Sequence, residues 1–402
     1  MVTAKHTMFN KFCSWNHPYK KMKGAIQMTI DKQDYFKTTY EQSREVFRGH
    51  LDPIKKKWPN AVISTKPIGN EADNTIDMIY AEALTENKQV LFFTIGEHGI
   101  EGFAGAACTH LFINEYLDRI DPHTTGICLI HALNPWGMRN YRRVTENNVD
   151  LNRNYLYDPN SVPKDINDHY SKESEMFLPN GKIADLTQEK RKLYTQLSKA
   201  LVTTGYSGIK KAKGMGQFEF ERGVYYGGKQ EEPNTAYLKE IQKKLLSTFA
   251  RVVHMDWHTA LGPANEITMV ISDLDGRSEE QLKDTYQLKN ILPFSADKVK
   301  GDSTHHFHRV RKEEYPDTKL FSALFEFGTF GTGKKAEFRE FQTIILENHL
   351  YFEGAKKQED IDWIMNEFKE MFYPDDPEWR DSVIKEARLG IEAVLTAEDM
   401  LH

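Results

Sequence analysis

The chain has 402 residues, 39% of them hydrophobic, and a net charge of -6. That length buries a large core and allows one large α/β domain or two smaller ones. The mildly acidic balance sets aside a dedicated nucleic-acid binder, which carries a basic excess. No stretch approaches the apolar length of a membrane span, and no apolar segment follows Lys5, Lys11, Lys20, Lys21 and Lys23 to make a secretory leader. A cytoplasmic chain with no nucleic-acid or membrane partner is therefore expected. Cys13, Cys108 and Cys128 are too widely spaced for a disulfide framework or a C-x-x-C metal site. Cys108 and Cys128 read as small core residues.

Residues 1–30 show no period and read as an irregular N-terminal arm. Residues 31–402 read as one domain closing with helices. Asp31 to Trp58 has helical spacing through Tyr35, Phe36, Tyr40, Phe47 and Leu51, stopped by Pro59. Asn74 to Ala83 alternates as a half-buried strand does. Val90 to Ile95 is a buried strand that runs into the glycine-punctuated turn GEHGIEG and then a helix from Glu101 to Leu117. Thr125 to Leu133 is the next strand, ended by Asn134-Pro135-Trp136-Gly137. A polar stretch from Met138 to Ala184 is too long for an idle loop.

Leu186 to Val202 and Asn234 to Phe249 read as helices, with Gly214 to Gly228 between them as a hairpin or binding loop. Arg251 to Trp257 is a strand, Glu266 to Ser272 another, and Ser278 to Leu292 a helix. The His305, His306 and His308 cluster reads as a solvated loop, and Lys55-Lys56-Lys57 as a solvated helix end. Thr318 to Phe327 is a strand, and helices follow around 334–351, 359–373 and 378–396. Strands alternating with helices indicate an α/β fold with a parallel or mixed sheet.

Three apolar strands end in polar residues beside a glycine-bearing turn: His98 and Glu101 after the first, His258 after the second, Glu326 on the third. In an open α/β sheet, ligands gather at the carboxyl ends of strands. His98, Glu101 and His258 make a His₂Glu set, which suits a zinc ion with one position left open. Glu326, a charge inside the apolar run LFEFG, is placed for general acid–base work. An arginine before Asn152 can face an oxyanion, and Asn152 with Arg153 can grip a carboxylate. Arg153 alternatively pairs with Asp150 as a structural arginine. Asp256, two residues before His258, is a candidate to orient that ligand. Tyr225 and Tyr226 either pack or line a substrate site, Tyr226 being the candidate.

GEHGIEG, NPWGMRNYRR, NNVDLNRNY, MDWHTALGP and LFEFGTFG, in this order, resemble the zinc carboxypeptidase superfamily. The branch most similar is a bacterial one of unknown function, with similarity to succinylglutamate desuccinylase and aspartoacylase. It also carries the Gly216-Gln217-Phe218 and Tyr225-Tyr226-Gly227-Gly228 stretch. The resemblance covers roughly Tyr35 to Leu350. It implies a three-layer α/β sandwich with a mixed, mostly parallel eight-stranded sheet, one zinc per chain and hydrolysis of an amide bond. It places His98, Glu101 and His258 on the metal ligands, Glu326 on the catalytic glutamate, and Asn152 and Arg153 on the substrate carboxylate. Arg143 falls on the oxyanion arginine, with Arg142 the contender. Between His258 and Glu326 no tyrosine matches the mobile one of the digestive enzymes, and their disulfides are absent.

The function expected is that of a carboxypeptidase-like zinc hydrolase acting on a small peptide. Alternatives are a deacylase of N-acyl amino acids, and a non-catalytic module binding peptides or cell-wall fragments. The sequence sets no oligomeric state.

Overall fold

The computed structural model describes residues 35–71, 73–156, 166–295 and 299–401. The expected N-terminal arm lies outside these residues. The described chain begins with α1 (Tyr40–Gly49), whose first turn is capped by the Thr39 hydroxyl, and α2 (Leu51–Lys57). The sequence predicts one helix here. It breaks at His50 because Pro53, which has no N–H to donate, is tolerated only in the first turn of a new helix. Lys57 is not simply solvated: its Nζ donates to the carbonyls of Leu117, Asp118 and Ile120.

Next come β1 (Val62–Pro67), β2 (Thr75–Ala81), β3 (Gln89–Ile95), α3 (Gly102–Glu115), β4 (Thr125–His131) and α4 (Pro135–Arg139). The polar stretch holds a 3₁₀ turn at Leu151–Arg153 and the short helices α5 (Asp168–Lys172) and α6 (Ser174–Phe177). Then follow α7 (Leu186–Thr203), α8 (Gly205–Gly214), α9 (Pro233–Thr248), β5 (Arg251–Ala260), β6 (Ile267–Ser272), α10 (Glu279–Tyr286) and β7 (Ile291–Phe294). The chain continues through α11 (Ser303–Glu314), β8 (Lys319–Gly328), α12 (Lys334–Glu353), α13 (Gln358–Phe372) and α14 (Pro377–Ala397).

The strands form one sheet in the order β1-β2-β4-β3-β5-β8-β6-β7. The four pairings β4–β3, β3–β5, β5–β8 and β6–β7 are parallel, and the other three are antiparallel. This is the mixed, mostly parallel eight-stranded sheet expected. Strand alternation splits the core between two faces. Leu91, Phe93 and Ile95 of β3 and Val253, Met255 and Trp257 of β5 pack with α3, α13 and α14. Val90, Phe92 and Val252 face the other way, against Leu238 and Leu245 of α9 and Phe307 and Val310 of α11. The result is three layers.

Three local expectations change, and one strand goes unforeseen. The Ser278 to Leu292 segment is a helix only to Tyr286; Gln287 then turns left-handed (φ 54°), and Ile291–Phe294 joins the sheet beside β6. The histidine cluster is not a solvated loop but part of α11. The Asp302 carboxylate caps it on His305 N (2.7 Å), and both His306 and His308 are buried. The Gly214 to Gly228 loop is not a hairpin: its one bridge, Gln217 to Tyr226, is parallel, and α8 precedes it. Edge strand β1 is mostly exposed and polar, so it carries little hydrophobic signal.

Candidate active site

β3 delivers its chain end to the site through two glycine requirements. Gly96 takes φ +68°, where a Cβ would press on Ala132 Cβ at 2.8 Å. At Gly99 a Cβ would meet the Gly137 backbone at 2.1 Å, so α4 can close over the turn only there. Between these glycines His98 leaves the sheet, and a 3₁₀ turn over Gly99–Glu101 swings Glu101 back towards β5. On β5 the period of two puts His254, Asp256 and His258 on one face, with Met255 and Trp257 on the other. β8 lies in register beside it, with His258 opposite Glu326.

The sequence-predicted ligands converge. His98 Nδ1 lies 2.9 Å from Glu101 Oε1, and His258 Nδ1 lies 3.2 Å from Glu101 Oε2. All three donor atoms fall within 4.8 Å of one another, and all three residues are buried. The outer nitrogens face carboxylates: His98 Nε2 is 3.1 Å from Asp150 Oδ1, and His258 Nε2 is 3.1 Å from Asp256 Oδ2. Asp256 is itself held by the Thr94 hydroxyl at 2.6 Å. Two imidazoles and a carboxylate, each imidazole backed by an acid, are the donor chemistry that zinc takes. Without a cation the charges pull on each other. Burial pushes the Glu101 carboxyl up, but His98 and His258 outweigh it and hold the group below the usual carboxylate range. Burial pulls His258 down, yet Asp256 and Glu101 raise it well above an ordinary imidazole.

Asp150 does more than pair with an arginine. It accepts from His98, from Asn152 N (3.1 Å) and from Arg143, which forms a close ion pair with it. Arg143 is thus the arginine at the cluster. Arg142, also expected to touch substrate, points away: its Nε binds Glu347 at 2.7 Å, and its guanidinium stacks 3.6 Å from the Tyr351 ring centroid.

Asn152 and Arg153 sit side by side. Asn152 Oδ1 accepts from Ser303 N (3.0 Å), Arg153 Nη1 donates to Asn152 O (2.7 Å), and Arg153 Nε has no partner. The alternative of an Arg153–Asp150 pair is replaced by Arg143–Asp150. Tyr226, the expected substrate-lining tyrosine, has Glu221 and Glu232 as its charged neighbours, whereas Tyr225 has Arg143 and Arg153. Glu326 is half-buried and accepts from Leu261 N at 3.3 Å. Burial pushes its carboxyl up to about 8, with His258 opposing and Glu101 reinforcing the rise.

Two contributors were not singled out from the sequence. Thr94 hides inside an apolar strand, and only the β3–β5 register, with Thr94 opposite Asp256, reveals it. Glu97 is buried beside Asp256 and His258, with neither oxygen hydrogen-bonded. Burial, then Asp256, push its carboxyl well above the usual range. Asp256→Asn, which removes the charge behind His258 without changing shape, is expected to weaken zinc binding about 10–100-fold in a chelator competition.

The model of a family described as a protein of unknown function, DUF2817, matches residues 36–386. The chain belongs to the DUF2817 family. No curated relative matches this DUF2817 protein. Among solved structures it is similar to carboxypeptidase A from Helicoverpa armigera at 12% identity and a TM-score of 0.46, over 92% of this chain and 76% of that one. A metallo-carboxypeptidase from Burkholderia cenocepacia shares 9% identity at a TM-score of 0.43, over 88% and 69% of the two chains. A succinylglutamate desuccinylase from Silicibacter sp. TM1040 shares 11% at 0.36, over 73% and 67%. Both arms of the sequence resemblance, superfamily and uncharacterised branch, are represented. Likeness at this level is one of chain course and does not fix an activity. Among the described residues no helix is long and apolar enough to cross a membrane.

Proposed function

We propose that this DUF2817 protein is a zinc-dependent hydrolase of an amide bond next to a free carboxylate, carboxypeptidase-like in its chemistry. The observation that carries this reading is the buried His98–Glu101–His258 donor set with Glu326 in register beside His258. When bound, zinc would lower the pKa of a water and polarise the scissile carbonyl. Glu326 takes the proton of the attacking water and returns it to the leaving nitrogen. Burial raises this carboxyl to about 8 in the metal-free protein, and a bound dication would bring it down towards neutrality, where it can both accept and release a proton. Arg143, fixed by Asp150 and largely buried, offers a positive charge to the oxyanion as the carbonyl becomes tetrahedral. Asn152 and Arg153 hold the substrate's free carboxylate and set which bond reaches Glu326.

The test is elemental analysis of the purified protein, with a hydrolysis screen of C-terminally free peptides and N-acyl amino acids. One zinc per chain with turnover supports the reading, and the preferred substrate separates peptidase from deacylase. No zinc after metal-replete purification would overturn it and leave a non-catalytic binder of peptides or cell-wall fragments. Arg143→Met is expected to lower kcat about 100–1000-fold while zinc stays bound. Arg142→Met should instead act on stability through the Glu347 that it leaves buried and unpaired.

A further inference from the structure

Behind His258 the sheet carries a buried histidine that the hydrolase reading does not use. His254 lies on the same face of β5, two residues before Asp256. Ser322 of β8 stands opposite His254 in the register, and Thr94 of β3 stands opposite Asp256. All four side chains are buried. Phe92 stacks on the His254 ring, with centroids 4.4 Å apart and 22° between the planes, and Phe307 meets it edge-on at 5.7 Å. The imidazole is thus held in one plane. Its Nδ1 lies 2.8 Å from Ser322 Oγ and its Nε2 lies 2.8 Å from Thr94 Oγ1. The Thr94 hydroxyl lies 2.6 Å from Asp256 Oδ1, and Asp256 Oδ2 faces His258 Nε2 at 3.1 Å.

These contacts run in one direction. The Asp256 carboxylate only accepts, so Thr94 gives it the one proton that a hydroxyl has. Thr94 Oγ1 can then only accept from His254, which puts the imidazole proton on Nε2. Burial holds His254 down at about 4, so the ring is neutral and has no second N–H. Nδ1 is therefore an acceptor, and the Ser322 hydroxyl donates to it. A single chain of donors passes from β8 to β5, across to β3, and back to β5 at Asp256.

We infer that His254, as its Nε2–H tautomer, is a positioning residue of the metal site: it turns the Thr94 hydroxyl onto Asp256, and Asp256 so held fixes the ring of His258. This assignment rests on the hydrolase reading above, in which His258 is a zinc ligand. A carboxylate gripped on one oxygen presents the other at one angle, and the ligand that it faces is set before the ion arrives.

The test compares wild type with His254→Gln and His254→Leu. Nitrogen NMR of histidine-labelled protein reads the tautomer, and chelator competition reads the zinc Kd. Glutamine keeps an N–H directed at Thr94 and leucine does not, while both lose the stacking on Phe92. We expect the Nε2–H tautomer in the wild type and a lower Tm in both variants. The zinc Kd should rise about 10-fold in His254→Leu, the lower edge of what an outer partner of a ligand contributes, and stay near the wild-type value in His254→Gln. Thr94→Val cuts the same chain without touching the ring and carries the test if His254→Leu does not fold. It should weaken zinc to the same extent and move the His254 proton to Nδ1, where Ser322 Oγ can accept it. Zinc uptake by a wild type with the Nδ1–H tautomer would overturn the assignment alone, because the chain would then run the other way. So would a zinc Kd unchanged in His254→Leu or Thr94→Val, or one raised equally in His254→Gln and His254→Leu, which would make the ring a packing residue. A wild type with the Nε2–H tautomer that takes up no zinc would overturn the hydrolase reading, and the role at the metal site with it.

Discussion

Glu326→Gln is expected to lower kcat by about 100–10,000-fold, the range over which a positioned general base contributes. The glutamine keeps the shape of the glutamate and can still accept from Leu261 N through its amide oxygen, so β8 need not move. It loses only the ability to carry a proton. Because Glu326 lies outside the His98–Glu101–His258 set, zinc content should equal that of the wild type. The pH profile gives a second, independent signature. A general base works ionised, so the wild-type rate should rise with pH through the pKa of Glu326. That carboxyl is pushed up to about 8 in the metal-free protein, mainly by burial. A neighbouring dication favours the ionised form, so in the loaded enzyme the rising limb should lie below 8 and should disappear in the variant. Loss of zinc together with loss of activity would instead make Glu326 part of the metal site.

Acidification from pH 7 to pH 5 is expected to lower the stability of the fold. Five histidines are buried. Burial holds His50 and His306 down at about 3, and His131, His254 and His308 at about 4. His131 meets the Ser43 hydroxyl at 2.8 Å, and His254 lies between the hydroxyls of Thr94 and Ser322, each at 2.8 Å. These hydroxyls carry no charge, and the nearby Asp77 and Asp256 do not offset the burial. Above about pH 6.5 the five are neutral both folded and unfolded and contribute no pH dependence. Below it the unfolded chain takes up protons that the native protein refuses, so stability falls with falling pH until the folded values are reached. At pH 5 each histidine accounts for a loss of about 2 kcal/mol, or about 10 kcal/mol together. Glu97, Glu326 and His258, whose folded values are raised, offset part of this loss over the same interval. Thermal melts at half-unit steps from pH 7 to pH 5 should show a steep fall in Tm. A flat Tm would show that these imidazoles titrate inside the native protein.

The sheet and its polar strand ends were legible because buried parallel strands read as short apolar runs. VLFFTI, TGICLIHAL, RVVHMDW and TKLFSALFEF are of that kind, and the residues that interrupt or follow them stand out. His98, Glu101, His258 and Glu326 all announced themselves this way. What the sequence hid falls into two groups. Elements with weak apolar patterns escaped: β1, an exposed polar edge, and α11, whose buried face is built partly from His306 and His308. Burying a histidine as a neutral ring makes it serve as a core residue while it still counts as polar in a periodicity. The second group consists of side chains whose role depends on which way an irregular segment turns. Arg142 or Arg143, and Tyr225 or Tyr226, are adjacent pairs whose spacing cannot say which member faces the site. For the arginines the turn after α4 makes that choice, sending Arg143 to Asp150 and Arg142 to Glu347. Asp150 was visible as an acid near arginines, but its hold on His98 needed the fold.

The β3–β5–β8 register has a consequence for how the protein is made. Glu101 and His258, which would share the proposed metal position, are 157 residues apart in the chain. At the usual pace of translation, about 5–20 residues per second, the first half of the donor set waits roughly 8–30 s for the second. During that time His98 and Glu101 are two ligands of an incomplete site. Glu326 follows later still, on the strand that closes over β5. A nascent chain therefore has no dedicated place for zinc until most of the sheet has been synthesised, and uptake of the ion would mark the moment when the central strands are all in place.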